Sequence, residues 1–102
     1  MTDATLLGAR ASTAPGLTLE LVYLARLRDA LGSAGETLTL PRPAEPTVDW
    51  LLAELRHRGG AFAQELAPGR AFRVAVDHAM ARGDTPLHDG AEVALLPPVT
   101  GG

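Results

Sequence analysis

The segment TVDWLLAELRHR at residues 47–58 decides the fold, because it has the clearest helical signature in the chain. Its apolar residues recur at the i, i+3, i+4, i+7 spacing that places side chains on one face of a helix. These residues are Val48, Leu51, Leu52 and Leu55. Thr47 can cap the helix start, and Gly59-Gly60 can end it. The pattern predicts one main amphipathic helix over residues 48–58, with an apolar stripe that must pack against another element.

Shorter patterns surround this helix on both sides. Five segments have strand character: 17–25, 36–40, 72–76, 79–82 and 92–96. Two brief helical segments are predicted over 26–31 and 61–67, and turns are predicted at Asp77-His78 and Asp89-Gly90. The order is strand, short helix, strand, main helix and then three strands. It predicts an α+β roll in which one mixed sheet of about five strands wraps the main helix, and the ubiquitin-like β-grasp has this element order.

The composition excludes several classes of chemistry. The chain has no Cys, which excludes disulfides, zinc–thiolate sites and thiol nucleophiles. All 9 basic residues are Arg, so the chain supplies neither the lysine of a phosphate loop nor a Schiff-base lysine. The net charge is −3 and the sequence contains no run of Arg, which argues against a nucleic-acid partner.

Compartment and domain boundaries follow from the apolar runs and the composition of the ends. No apolar run approaches the ~20 residues that cross a bilayer, so no membrane association is expected. Residues 1–16 are rich in Ala, Thr, Ser, Gly and Pro and do not resemble a secretory signal. We expect a mobile N-terminal tail over 1–16, a domain over 17–96 and an extended tail over 97–102. A cytoplasmic location is expected, since a protein in that compartment needs no disulfide.

The last residues, PPVTGG at 97–102, contain the strongest functional signal. Pro favours an extended path, and six residues at ~3.1 Å each reach roughly 19 Å. A terminus without side chains can enter a narrow channel in another protein. The residues expected to insert are Pro97, Pro98, Val99, Thr100 and Gly101, and the reactive group is the carboxylate of Gly102. A frayed end or an expression scar is the alternative explanation of a terminal Gly-Gly.

A carboxylate at the end of such a tail needs activation before it can react. It is ionised at pH 7 and is a poor electrophile. Activation as an acyl-adenylate would require a partner that binds ATP, because this chain has no phosphate loop. An activated carboxyl group can accept sulfide and become a thiocarboxylate, which carries sulfur without any Cys.

The predicted sheet is apolar on both faces, which is unusual for a sheet with one solvated side. The outward-facing apolar residues are Val22, Leu24, Ala75, Ala94 and Leu96. Scattered apolar residues are normal on surfaces, but a contiguous patch marks a site for a protein partner. We favour a partner interface, because Leu96 adjoins the tail.

The three histidines do not predict a metal centre. His57, His78 and His88 are far apart in sequence and fall on a helix end and two turns, without the spacing of a metal site. We therefore expect no bound metal and no metal ligands.

Two segments resemble a known family. YLARLRDALG at 23–32 is similar to the first strand and helix of the MoaD/ThiS group of ubiquitin-like sulfur carriers. HDGAEVALLPPVTGG at 88–102 resembles the end of the small subunits of molybdopterin synthase. The likeness covers residues 17–102, and the Pro-Pro-Val-Thr lead-in favours the molybdenum-cofactor branch over the thiamine carriers. Leu95-Leu96 departs from the two aromatics that are frequent there.

The resemblance implies a mechanism and partners. Gly102 would be adenylated by an activating enzyme that uses ATP and Mg, converted to a thiocarboxylate, and inserted into the large subunit of molybdopterin synthase. Sulfur would pass to cyclic pyranopterin monophosphate in a heterotetramer of two small and two large subunits. This chain would bind no cofactor and would be a sulfur-donating subunit, not an enzyme alone. The sulfur donor stays open.

Two alternatives also remain open. One is a sulfur carrier for thiamine thiazole or amino-acid biosynthesis. The other is a non-reactive β-grasp binding module.

Overall fold

The structure is a computed structural model that describes residues 16–98. The elements are β1 Gly16–Tyr23, α1 Arg26–Leu31, β2 Gly35–Pro41, α2 Val48–Arg56, α3 Gly60–Glu65, β3 Arg73–Val76, β4 Ala79–Met80 and β5 Glu92–Leu96. Residues 1–15 and 99–102 lie outside the described residues, and with them most of the predicted N-terminal tail. Gly16, which was expected to belong to that tail, begins β1 instead.

The strands form one mixed sheet in the order β2-β1-β5-β3-β4. β1 pairs antiparallel with β2 and parallel with β5, and β5 pairs antiparallel with β3. The last strand in sequence is therefore the central strand of the sheet. The predicted α+β roll, with five strands and one main helix, is confirmed.

The helix α2 forms for the reasons visible in its sequence. The Thr47 hydroxyl accepts a hydrogen bond from the backbone N–H of Trp50 at 3.2 Å, as an N-cap does. All four residues of the apolar stripe are buried. The helix ends at Arg56, two residues earlier than predicted, because the N–H groups of Arg58 and Gly59 bond to carbonyls three residues back in a tight turn.

The hydrophobic core lies between α2 and the inner face of the sheet. The side chains of β1 alternate, so Leu17, Leu19, Leu21 and Tyr23 are buried and the intervening residues are less so. Leu87, between β4 and β5, is 4% exposed and belongs to the same core. Leu38 and Leu40 of β2 pack against the core while partly buried. Within residues 16–98, no helix is long and apolar enough to cross a membrane.

The edge strand β4 is shorter than the predicted 79–82 segment. Ala81 still donates its N–H to the carbonyl of Val74, at 2.9 Å. The next N–H, that of Arg82, bonds instead to the side-chain oxygen of Thr85 at 2.9 Å. The chain therefore leaves the sheet at Arg82, in a turn that brings it back towards the start of α2.

Candidate functional site: the tail exit and the outer sheet face

The C-terminal tail leaves from the end of the central strand. Because β5 runs parallel to β1, the chain leaves at the end of the sheet where β1 also finishes. Leu24 extends this pairing by donating its N–H to the carbonyl of Leu95 at 3.0 Å. Pro97 follows, half-buried, and Pro98 is exposed. The tail therefore begins at the end of a central strand that is hydrogen-bonded on both sides, and not at the end of an edge strand.

The remaining predicted tail residues lie outside the described part of the chain. They are Val99, Thr100, Gly101 and Gly102. The structure fixes where the tail starts, and the path of these four residues stays a prediction.

The predicted apolar patch is contiguous across the outer face of the sheet. The strand register aligns Val22 with Ala94, Ala94 with Ala75, and Ala75 with Met80. With strands ~4.8 Å apart, this row spans about 14 Å. Leu96 lies two residues beyond Ala94 on the same face, beside the tail exit, and Leu24 nearby is 41% exposed. Val22, Ala75, Ala94 and Leu96 thus share the outer face, each of them partly buried, and their role in a partner interface stays a prediction.

Met80 was missed by the sequence reasoning. It is 55% exposed and extends the apolar row to the edge strand β4. The signal was present in the sequence. Residues 79–82 were predicted to form a strand, and the alternation of side chains along a strand places Met80 on the same face as the charged Arg82. Its flexible, polarizable side chain suits a surface that adapts to a partner.

The other half of the outer face is polar. The hydroxyl groups of Thr18 and Thr39 are 2.9 Å apart, and Thr37 donates to Glu20 at 2.8 Å. At the start of β5, Glu92 lies 3.3 Å from the imidazole of His78. Polar side chains therefore occupy the end of the outer face far from the tail. The end from which the tail leaves is apolar except for Arg73, which is exposed and pairs with Leu96.

A charged cluster fixes the elements behind the tail exit. Arg58, after α2, donates two hydrogen bonds to the Glu36 carboxylate of β2, at 2.6 and 2.9 Å. The buried Tyr23 donates to the same carboxylate at 2.7 Å. Arg58 also lies over the Phe62 ring, 4.7 Å from its centroid. These contacts join the end of β1 and the start of β2 to α3 and to the segment after α2.

The electrostatics of this cluster follow from burial and charge. The hydrogen bonds from Arg58 and then from Tyr23 hold the pKa of Glu36 below its ordinary value, against the opposing effect of desolvation. Burial, followed by the nearby Glu36 carboxylate, raises the pKa of Tyr23. At neutral pH the cluster therefore holds one carboxylate, one guanidinium and one neutral phenol. It is positioned to stabilise the fold, and it lacks a nucleophile.

A second ion pair lies at the opposite end of the sheet. His88 Nε2 is 2.6 Å from the Asp77 carboxylate, and its Nδ1 is 2.9 Å from the carbonyl of Asp89. Both neighbours only accept hydrogen bonds, so the doubly protonated imidazole fits best. Asp77, followed by the Asp89 carbonyl, raises the pKa of His88 above its ordinary value. This contact joins the turn at Asp77-His78 to the turn at Asp89-Gly90.

Within residues 16–98, no three His, Cys, Asp or Glu side chains converge to hold a metal ion. His57 caps the end of α2, whereas His78 and His88 each contact a single carboxylate. Within residues 16–98, the candidate functional features are the apolar outer face of the sheet and the point at which the tail leaves β5.

Comparison with known proteins identifies the family. The model of the ThiS family matches residues 21–102. The chain belongs to the ThiS family. This ThiS-family chain is 31% identical over 84 residues to the molybdopterin synthase sulfur carrier subunit of Escherichia coli K12, covering 82% of this chain and 99% of that protein.

Solved structures share the fold of this ThiS-family chain. SAMP1 of Haloferax volcanii superposes with a TM-score of 0.66 at 26% identity, covering 83% of this chain and 99% of that one. A Pyrococcus furiosus protein assigned as a molybdopterin converting factor, subunit 1, gives a TM-score of 0.66 at 23% identity, covering 81% and 99%. The predicted family and the predicted ubiquitin-like β-grasp fold are both confirmed.

Proposed function

We propose that this chain is the sulfur carrier subunit of a molybdopterin synthase. Its Gly102 carboxylate is adenylated by an activating enzyme that uses ATP and Mg, and sulfide then displaces AMP to leave a thiocarboxylate. The tail enters the large synthase subunit, and the sulfur is transferred to cyclic pyranopterin monophosphate. Two small and two large subunits form a heterotetramer, and the catalytic side chains belong to the large subunit.

The 31% identity with the E. coli sulfur carrier subunit is the observation that carries this proposal. The family match extends through residue 102 and so includes the terminal Gly-Gly. The chemistry agrees, since a thiocarboxylate carries sulfur in a chain that has no Cys. The apolar half of the outer face supports partner docking beside the tail exit, because a contiguous exposed apolar surface favours protein contacts.

Mass spectrometry of the intact chain tests the reactive group. After incubation with the activating enzyme, ATP and a sulfur donor, we expect the mass change of one oxygen replaced by one sulfur, located on the C-terminal peptide. A chain lacking Gly102 and a chain with one Ala added after Gly102 are the matched controls, and both should stay unmodified. Sulfur transfer by either control, or none by the natural chain beside a competent carrier, contradicts the proposal.

Partner docking is tested separately on the outer face. Ala94→Arg places a charge in the centre of the apolar row, whereas Thr37→Arg places the same charge on the polar half. We expect Ala94→Arg to weaken assembly with the large subunit by at least tenfold (about 1.4 kcal/mol), and Thr37→Arg to leave it nearly unchanged. Light scattering coupled to gel filtration measures the assembly. Equal effects of both variants would argue against this interface.

A second candidate is a protein modifier. The H. volcanii relatives at comparable TM-scores are described as SAMP1 and as small archaeal modifier protein 1. In this function the adenylated Gly102 is attacked by an amine of another protein, so that an amide forms and AMP leaves. Denaturing gels of cells that express the tagged chain distinguish the candidates, because only a modifier gives covalent adducts that survive reduction and require Gly102. A non-reactive binding module would retain its function when Gly101 and Gly102 are deleted.

A further inference from the structure

Arg73 is the one charged side chain that the described strands place on the apolar end of the outer face. It begins β3, is exposed, and lies two residues before Ala75 on the same face. The strand register puts it directly opposite Leu96, the last residue of β5. Directly opposite residues have Cβ atoms ~4.5–5.5 Å apart. The guanidinium group of Arg73 is therefore within a side chain's length of the point where the tail leaves.

The acids on the outer face are too far from Arg73 to balance its charge. Glu20 and Glu92 are cross-strand neighbours at the end of the face away from the tail. Glu92 is four residues from Leu96 along β5, which corresponds to about 13 Å of strand. Exposed charges separated by more than the Debye length, about 8 Å at physiological salt, are largely screened from each other.

The other arginines of the described chain do have carboxylate partners where their segments approach acids. Glu65 precedes β3 and is shared by two guanidinium groups, those of Arg26 at 2.8 Å and Arg70 at 3.2 Å, so it has no charge to spare for a third. Within residues 16–98, ion pairs between Arg and a carboxylate are formed by Arg26, Arg58, Arg70 and Arg82, and none is formed by Arg73.

A partner that covers the apolar row must also take water away from Arg73. Burying a charge is costly unless an opposite charge with good geometry replaces the water. The methylene groups of an Arg side chain can lie on apolar surface such as that of Leu96. The planar guanidinium group can then form two parallel hydrogen bonds with one carboxylate. Since this chain supplies no such carboxylate in its described part, the partner is the source that fits.

We propose that Arg73 is a specificity-determining contact of the partner interface, and that it binds an Asp or Glu carboxylate on the partner beside the entrance that admits the tail. The inference rests on the proposed function, in which this partner is the large synthase subunit. A partner with an apolar residue at this point would leave the guanidinium group buried and unpaired, and one with Lys or Arg would repel it. The contact therefore selects among surfaces that are otherwise equally apolar.

Isothermal titration calorimetry of the full chain with the large subunit tests the proposal. Arg73→Met keeps a long apolar side chain without the charge and should weaken binding by about tenfold or more, because it strands the partner's carboxylate. Arg73→Glu should weaken it further, and Arg73→Lys should be intermediate, since an ammonium group does not form the paired hydrogen bonds.

Arg42 provides the matched controls. It is exposed and follows β2 at the end of the sheet away from the tail. Arg42→Met and Arg42→Glu change the net charge by the same amounts and should change the affinity by less than about twofold. Circular dichroism melting curves of all variants check that the fold is retained, and Arg73→Lys serves as the second variant if another is unstable.

Charge exchange identifies the partner's residue. Each Asp and Glu on the surface of the large subunit is changed to Arg in turn and titrated with the natural chain and with Arg73→Glu. We expect one of these variants to weaken binding of the natural chain and to strengthen binding of Arg73→Glu by about tenfold, which is the coupling that a direct contact gives.

The outcomes separate this inference from the proposed function. Arg73 variants that bind as tightly as the matching Arg42 variants, or no coupling with any acid of the large subunit, would overturn the inference while a natural chain that assembles and acquires sulfur keeps the proposed function. A natural chain that neither assembles with the large subunit nor acquires sulfur would overturn both.

Discussion

Replacing Tyr23 with Phe should remove one hydrogen bond and leave the packing of the ring unchanged. The side chain is 1% exposed, and its hydroxyl lies 2.7 Å from the Glu36 carboxylate. A hydrogen bond to a charged group contributes about 1.5–3 kcal/mol. Glu36 keeps both of its hydrogen bonds from Arg58 and is partly exposed. We therefore expect the low end of that range, about 1.5 kcal/mol of unfolding free energy.

Urea denaturation and thermal melting measure this loss. For a domain of this size, about 1.5 kcal/mol corresponds to a fall in Tm of roughly 6–12 °C. Thr39→Val is the control, because it removes an exposed hydroxyl contact with Thr18 and should cost within about 0.5 kcal/mol. A double-mutant cycle of Tyr23→Phe with Glu36→Gln isolates the pairwise interaction.

The pH dependence of the loss gives an independent check. Arg58 and Tyr23 lower the pKa of Glu36 from its ordinary value of 4.5. The stabilisation of its carboxylate is therefore fully present above pH 4.5 and is lost as the pH falls through the lower value in the folded protein. The effect of Tyr23→Phe should shrink over the same range. A loss equal to that of the Thr39 control, no coupling in the cycle, or a deficit unchanged in acid would refute the reasoning.

Three further substitutions test other parts of the fold. Gly35→Ala should cost about 2–4 kcal/mol in urea denaturation, because φ is 156° and a Cβ atom would overlap the carbonyl oxygen of Leu21. Asp77→Asn should lower the pKa of His88 towards its ordinary 6.5 in an NMR titration. The Asp77 carboxylate binds the protonated imidazole of His88. The contribution of this contact to folding stability is therefore full below pH 6.5 and is lost as the pH rises through the raised pKa of His88. Thr47→Ala should cost about 1 kcal/mol in the same urea assay through loss of the N-cap.

Two of these predictions have a matched control variant, and the third has a direct opposing outcome. Gly69→Ala also places Ala at positive φ but meets no neighbouring atom, so it should cost less than Gly35→Ala. Thr47→Ser keeps a hydroxyl cap and should retain most of the stability of the natural chain. A pKa of His88 unaffected by Asp77→Asn would show that the contact between the two side chains does not form in solution.

The parts of the fold that depend on local periodicity could be predicted from the sequence. The segment 92–96 matches β5 residue for residue, and the whole apolar stripe of α2 is buried. The Asp77-His78 turn also forms, with φ of 51° and 72° at its two residues. In these segments the alternation of side chains, the caps and the turn residues all favour the same local structure, and no distant contact overrides them.

The parts that depend on distant residues could not be predicted. Glu36 and Arg58 are 22 positions apart, and nothing in the sequence near either residue indicates their pairing. The apolar face could be inferred from alternation, but its continuity depends on the register of β1, β5 and β3, which only the sheet order determines.

The adjacency of the first and last strands has a mechanical consequence. Because β1 and β5 are parallel neighbours, a force that separates Gly16 from Pro97 slides the two strands along each other and loads their hydrogen bonds together in shear. An edge strand pulled from one end would instead release its bonds singly. A pull on the tail that is resisted through the chain before β1 thus acts along the direction in which these hydrogen bonds must break together, and the domain should resist it more than a pull that peels away an edge strand.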